Sequence, residues 1–322
     1  MALAQQRGFV FSPSRTLIML RIITSLLASS ADIYFHEWCR SVGIETPFVS
    51  LITTEKSIAG RGVFAKQMIN EGEIVIKIPE DLVLHAHSGS TQFPELAGTI
   101  NQQTEHFLRK KTRWWKRMFG RRDNFEKEFV DPSDFWQAEL TVYSLACLKA
   151  ENHLWAPWIS QWQRSDPMQQ FYETGCDECA LEACVEKLHL IMPTAPKVKF
   201  RAAIDLRMRR LKGMKRVFAL SDEAVTMYGI LISRAIELGD DIVGVIPMFD
   251  MINHSPTPNV ALSFDGNNFE LWALRDIAEG EELFVCYNND DELENWDEDN
   301  AVWNLIQWGF PQVDPKNCSS QG

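Results

Sequence analysis

Asp250-Met251-Ile252-Asn253-His254-Ser255-Pro256-Thr257-Pro258-Asn259 decides the fold when it is set beside two other short segments. It follows an apolar run, Val243 to Met248, that reads as a strand. Alone, Asn-His-Ser followed by Pro-Asn reads as a capped loop. The second segment is Gly280-Glu281-Glu282-Leu283-Phe284-Val285-Cys286-Tyr287. Glu279-Gly280-Glu281 predicts a turn, and Glu282 to Tyr287 predicts a strand. A tyrosine that ends a strand is, by itself, half-buried packing. The third segment is Gly60-Arg61-Gly62 with Val63 and Phe64, a tight turn running into a strand. Each segment is weak alone. Their order and spacing along one chain are much more specific.

Outward from these segments the chain reads β, then helical, then β again, an α+β layout. Ile33 to Val42 predicts a short helix. Asn70-Glu71-Gly72-Glu73 reads as a polar hairpin turn, and Ile74 to Pro79 as a β-branched strand stopped by proline. From about His85 the period changes. Between Asp134 and Glu151, Phe135, Leu140, Tyr143, Ala146 and Leu148 recur at helical spacing. Trp155-Ala156-Pro157-Trp158-Ile159 reads as a rigid aromatic turn, and Leu181 to His189 as another helix. Ser221 has the chemistry of a helix cap, and that helix is expected to run to Glu237 and end at Gly239. Ala261 to Phe264 and Phe269 to Leu274 flank Asp265-Gly266-Asn267, which predicts a hairpin.

The three segments together resemble the SET-domain protein methyltransferases. The likeness extends through Leu154 to Ile159, Ser233-Arg234-Ala235-Ile236, Asp250 to Ser255 and the closing Leu305-Ile306-Gln307-Trp308-Gly309-Phe310-Pro311. These look like the subgroup of the Rubisco large-subunit methyltransferase, with Trp308 where a tyrosine is common. The resemblance covers about residues 47 to 311. It implies a β-rich SET fold with a pseudoknot and a large helical insertion. The implied division is 1–31 as a flexible or targeting segment, 32–88 as an N-terminal helix and the first part of the SET domain, and 89–225 as the insertion. Residues 226–290 would hold the rest of the SET domain with the active site, and 291–322 an acidic linker and closing flank.

The resemblance also implies roles, and S-adenosyl-L-methionine as cofactor. Gly60, Arg61 and Gly62 would lie against it, glycine letting the backbone approach closely. Arg234 would pair with its carboxylate through a planar fork of donors. Asn253 and His254 would hold its methionine and adenine portions, and Phe310 would stack on the adenine. Tyr287 would be catalytic. Ser233, Ile236, Asp250 and Trp308 would line the acceptor channel. Ala59 stands where the subgroup often carries an acidic residue, and the chain ends soon after Phe310, so the substrate's identity does not carry over. The implied reaction is SN2 methyl transfer to a lysine of a protein. A histidine acceptor is the alternative, because the actin-histidine methyltransferase shares the subgroup. Ile236 speaks for lysine, since an imidazole needs a polar partner for its second nitrogen. A catalytically silent SET-fold binding module is the remaining alternative.

Composition limits the partners. The chain has 322 residues, with 32 basic and 44 acidic ones and a net charge of -12. That balance argues against a nucleic acid as main partner and for a protein substrate with a basic segment. No apolar run reaches membrane-spanning length. Seven cysteines, four of them scattered, suit a reducing compartment. The acid-free stretch before Asp32 resembles a transit peptide, its Leu26 to Ala31 end looks a little like a signal-cleavage region, and it also fits a plain tail or first helix. Cys176, Cys179, Cys184 and His189 could hold zinc, but they lie on or beside one helix, so no metal is expected. The basic runs Arg109 to Arg122 and Lys197 to Arg216 read as solvated insert loops. The acidic run Asp290 to Asp299 is either a solvated linker or a steering patch for a basic substrate.

Overall fold

The computed structural model describes residues 33–53, 61–118, 135–162, 178–239, 242–255, 257–287 and 301–302. The expected targeting segment, the acidic run, Cys176, and the site residues Gly60, Trp308 and Phe310 lie outside the described residues.

The architecture is α+β. Helix α1 spans residues 33–41. Its last turn closes on Gly43, whose φ of +86° suits glycine, as Ile44 N–H reaches back to Cys39 O at 2.8 Å. Strands β1 (Val49–Thr53) and β2 (Arg61–Ala65) form an antiparallel pair in the register Val49↔Ala65 to Thr53↔Arg61. β3 (Ile74–Pro79) is followed by the short β4 (Leu84–His85). Helices then intervene, among the described residues α2 (Ala86–Gln92), α3 (Pro94–Met118), α4 (Phe135–Lys149), α5 (Ala156–Ile159), α6 (Glu178–Ile191), α7 (Lys197–Phe218) and α8 (Asp222–Ile232). The chain returns to β structure with β5 (Ile236–Gly239), β6 (Ile242–Val245), β7 (Asn253–His254), β8 (Val260–Phe264), β9 (Asn268–Ala273) and β10 (Phe284–Val285).

The sheets are small and mostly non-local. The orders are β1-β2, β3-β9-β8 and β4-β6-β5, all antiparallel, and β7-β10, which is parallel. The β8–β9 hairpin forms where Asp265-Gly266-Asn267 predicts it. Asp265 Oδ1 accepts the N–H groups of Asn267 and Asn268 at 2.8 and 2.7 Å, and Gly266 has a φ of +101°. Asn70 to Glu73 does turn, but it joins no hairpin, because β2 pairs with β1 and β3 with β9.

Two cores hold these layers. The larger one gathers α1, the sheets, α4 and the aromatic turn, with Phe35, Ile76, Leu140, Trp155, Trp158 and Leu271 at its centre. The smaller one belongs to α6, α7 and the outer side of α8. α7 corrects the reading of Lys197 to Arg216 as a loop. Phe200, Ile204, Met208 and Leu211 fall on one stripe at helical spacing and are buried, and the cations occupy most of the other face. The run from Arg109 likewise begins on a helix, α3.

α8 begins as expected, with Ser221 Oγ accepting Ala224 N–H at 3.2 Å and Asp222 and Glu223 in the first turn. It ends five residues before the expected Glu237. The N–H groups of Arg234 and Ala235 both turn back to Leu231 O, and Ile236 then pairs with Gly244 as β5. Strand pairing with β6 thus takes the backbone that helix propensity alone would have claimed.

Candidate active site

The crossing of the chain around β7 and β10 builds the site. Segment 281–283 is pinned on one side to β2, by Ala65 N–H to Glu281 O at 2.9 Å and Leu283 N–H to Val63 O at 2.8 Å. On the other side the fully buried Asn259 clamps it. Asn259 Nδ2 donates to Glu282 O at 2.8 Å, and Phe284 N–H donates to Asn259 Oδ1 at 2.7 Å. Phe284 and Val285 then lie parallel to Asn253 and His254. The strand expected over Glu282 to Tyr287 therefore shrinks to two residues, because its backbone is shared among β2, Asn259 and β7. This interlocked pair of segments is the cross-connection that the sequence led us to expect as a pseudoknot.

Tyr287 leaves this crossing with its Oη donating to Ile252 O at 2.5 Å and its N–H donating to His254 Nδ1 at 3.1 Å. The two rings are 5.4 Å apart and tilted by 50°. Burial holds the Tyr287 phenol well above its ordinary pKa; Arg234 opposes that shift and Asp250 adds to it. Burial pushes His254 the other way, down to about 4, so it is neutral at physiological pH.

Arg234 and Asp250 meet across the site. Arg234 Nη1 donates to Asp250 O at 2.7 Å and lies 3.3 Å from Asp250 Oδ2. The guanidinium also sits 5.9 Å over the Trp162 ring. Asp250 Oδ1 accepts Trp158 Nε1–H at 3.1 Å. The Asp250 carboxylate is fully buried, which raises its pKa against the pull of Arg234 and Trp158. Met248, two residues earlier, has a φ of +69°, a strained value for a non-glycine residue, at the turn that delivers Asp250. The ordinary alternative for Arg234, an ion pair with a protein carboxylate, is thus present in the structure.

Arg61 and Gly62, expected in a turn, are the first residues of β2, paired with Thr53 and Ile52, and Gly62 has a local reason to be glycine. A Cβ there would fall 2.1 Å from Glu282 Oε1 and 3.2 Å from Asn253 Nδ2. Asn253 Nδ2 donates to Glu282 Oε1 at 2.6 Å and to Arg61 O at 2.9 Å, tying β7 to the start of β2. Arg61 in turn donates to Gln161 O at 2.6 Å and Gln161 Oε1 at 2.9 Å. Ser233 caps the end of α8 through Oγ to Ile230 O at 2.7 Å, and Ile236 opens β5, half-buried against the larger core. The structure therefore brings together Arg61, Gly62, Asn253 and Glu282 as one cluster, and Arg234 with Asp250 as another.

Sequence reasoning missed Glu282, Gln161 and Trp162. Glu282 reads as the first residue of a strand with no role of its own, yet it is buried at the centre of the crossing. Trp162 carries an indole three residues beyond the aromatic turn, one helical turn from Ile159, and that spacing was the available signal. Of the zinc candidates, Cys184 is buried, and His189 Nδ1 contacts Ala195 O at 3.2 Å. Among the described residues no group of three or more metal-ligating side chains is present, and no helix is long and apolar enough to cross a membrane.

Comparison with known proteins adds to this geometry. The model of the SET domain family matches residues 60–288. The chain is similar to the N-lysine methyltransferase setd6 of Xenopus tropicalis, 21% identical over 303 residues, covering 88% of this chain and 58% of the relative. It is similar to SETD6 of Mus musculus, 20% identical over 307 residues, covering 88% and 54%. It therefore spans little more than half the length of these curated relatives. Among solved structures, the SET domain of LSMT bound to lysine and AdoHcy aligns with a TM-score of 0.50 at 15% identity, over 88% of this chain and 58% of that one, a likeness of fold.

Proposed function

The chain belongs to the SET-domain family, and we propose that it is an S-adenosylmethionine-dependent protein-lysine N-methyltransferase. The observation that carries this reading is Tyr287. It is a half-buried residue whose phenol, kept protonated by desolvation, is held 2.5 Å from Ile252 O where the two crossed segments meet. The names of the relatives support the same reaction class.

The residues present fit the cofactor. Its sulfonium is cationic, and the site offers a neutral His254, a neutral Tyr287 and the buried acids Asp250 and Glu282. Arg234, Asn253, His254 and the Gly60-Arg61-Gly62 turn would hold it, with Phe310 stacking on the adenine. When bound, S-adenosylmethionine supplies an electrophilic methyl group. Arg234 is 13% exposed, so its fork can serve a ligand carboxylate while Asp250 keeps it oriented.

The acceptor lysine must arrive neutral, because its free pKa is ~10.4. Desolvation beside Ile236, and by the resemblance beside Trp308, would favour the neutral amine. The Tyr287 hydroxyl and the carbonyls of Ser233, Ile252 and Asp250 would align its lone pair for in-line attack. Positioning of this kind supplies ~7–11 kcal/mol in favourable intramolecular models. The substrate is a protein presenting lysine in a basic segment. Ile236 favours lysine over histidine, since it offers the imidazole's second nitrogen no partner.

The Arg234–Asp250 pair favours one second reading, a SET-fold module whose arginine is already satisfied and which transfers nothing. Calorimetry with S-adenosylmethionine, followed by site-mapped mass spectrometry of proteins methylated in a native extract, separates them. Methyllysine supports the proposal. Methylhistidine alone redirects it to the histidine reaction, and binding without turnover leaves the silent module.

A further inference from the structure

A cavity lies at the end of the β1–β2 pair away from Gly62. It has a volume of about 640 Å³ and is lined by His36 and Arg40 of α1, by Gly43, Glu45 and Thr46 of the following bend, and by Lys66. The register runs from Thr53↔Arg61, beside Gly62, to Val49↔Ala65 at this end. Four residues of strand, about 13 Å, therefore separate it from the site above.

Its charge differs from that of the molecule. The chain carries a net charge of -12, yet the eight lining residues include two cations, Arg40 and Lys66, against one acid, Glu45. Among the described residues, neither Arg40 nor Lys66 forms an ion pair, and both are exposed. Helix capping does not account for Arg40. The last carbonyls of α1 are already taken, Trp38 O by Val42 N–H at 3.1 Å and Cys39 O by Ile44 N–H at 2.8 Å. The left-handed Gly43 then folds the chain back so that Thr46 and Glu45 face the same cavity. His36 Nε2 accepts Leu51 N–H at 3.0 Å, so the proton of the neutral ring sits on Nδ1, a further donor. Lys66, Arg40 and Arg61 act with burial to lower the His36 pKa, with burial the largest cause.

We propose that this cavity binds a phosphate monoester, with Arg40 and Lys66 on the phosphate oxygens and Thr46 and His36 supplying neutral hydrogen bonds. A guanidinium fork beside an ammonium matches a tetrahedral dianion better than a single carboxylate. The volume accommodates an organic body as well as the phosphate. Glu45 is the single acid on the lining and opposes the ligand. The inference is independent of the methyl-transfer reading, because no residue is shared.

The test is calorimetry on the full chain with inorganic phosphate, O-phosphoserine and AMP. Saturable binding is expected for O-phosphoserine or AMP and weaker binding for inorganic phosphate. A tighter O-phosphoserine points to a phosphorylated side chain as the natural source, and a tighter AMP to a free small molecule. Because both cations are exposed, Arg40→Ala and Lys66→Ala should each weaken binding about two- to fivefold, with an unchanged melting temperature. Glu45→Gln should tighten it about twofold. The proposal is overturned if none of the three probes binds saturably, if the Arg40→Ala/Lys66→Ala double variant binds like the wild type, or if Glu45→Gln weakens binding.

Discussion

A phenol whose pKa burial has raised stays protonated at neutral pH, so the Tyr287 hydroxyl donates to Ile252 O, and its oxygen is left to accept an amine N–H and does not act as a base. Its action falls on the transition state rather than on cofactor binding. Tyr287→Phe is therefore expected to lower methyl transfer by at least roughly tenfold while the calorimetric affinity for S-adenosylmethionine stays the same. Unchanged turnover would remove Tyr287 from the mechanism. Arg234 carries a different cost. Removing it takes away the nearest cation and leaves the buried Asp250 carboxylate to Trp158, Trp162 and the charge of Arg61. Arg234→Ala should lower stability by ~3–5 kcal/mol in urea unfolding, and adding Asp250→Asn should restore a large part of that loss. The double variant then reads the cofactor role cleanly. If it binds S-adenosylmethionine as the wild type does, Arg234 is structural only. The sequence made half of this legible. A lone arginine in an apolar helix demands an anion, but that the anion is Asp250, sixteen residues on, depends on β5 and β6 folding between them.

Elements held by local chemistry were readable, and those held by distant partners were not. The β8–β9 hairpin is written in Asp265-Gly266-Asn267, and the start of α8 in Ser221 and its acidic first turn. The stop of α8, the shortness of β10 and the pairing of β3 with β9 are set by backbone groups far along the chain, to which sequence periodicity is blind. α7 was misread because its charges were weighed before the spacing of Phe200, Ile204 and Leu211. The crossing of β7 and β10 was foreseen as a motif, but its fastening was not. The Asn259 side chain makes two of the bonds that hold segment 282–284, beside the Leu283 N–H bond to Val63 O. Asn259→Ala would leave Glu282 O and Phe284 N–H without this partner at a cost of ~2–4 kcal/mol. Amide exchange at Phe284 should accelerate far more than exchange in α4. Equal protection in the variant would show that β2 alone secures the segment. Gly62→Ala meets Glu282 Oε1 at 2.1 Å and should cost ~1–3 kcal/mol, with Glu282→Ala in the same chain relieving the clash.

Burial lowers the pKa of four histidines and the chain's net charge is negative, and both have consequences in solution. The pKa values of His36, His85, His153 and His254 are all lowered, chiefly by burial, and that of His254 to about 4. Below the unfolded value near ~6.5 the unfolded chain binds these protons and the folded chain does not. Stability is thus fully present above pH 6.5 and is lost as pH falls toward the folded values. Asp250 and Glu139, whose pKa values burial raises, pull the opposite way and soften the slope. The urea midpoint should fall between pH 7 and pH 5, and a higher midpoint at pH 5 would mean that the carboxylates dominate. The negative surface was visible in composition alone. Exposed charge reaches about one Debye length, ~8 Å at physiological salt, and further when salt is low. A net charge of -12, with Asp290, Asp291, Glu292 and Glu294 just beyond Tyr287 in sequence, should draw a basic substrate segment toward the site. Raising salt should then lower kcat/KM for a lysine-rich peptide, with kcat little changed because the reacting groups stay as they were. Converting those four acids to amides should remove most of the salt dependence if the run steers encounter. If the neutralised variant keeps the wild-type salt slope, attraction comes from the charge of the molecule as a whole, and the run serves only as a solvated link to the residues that follow.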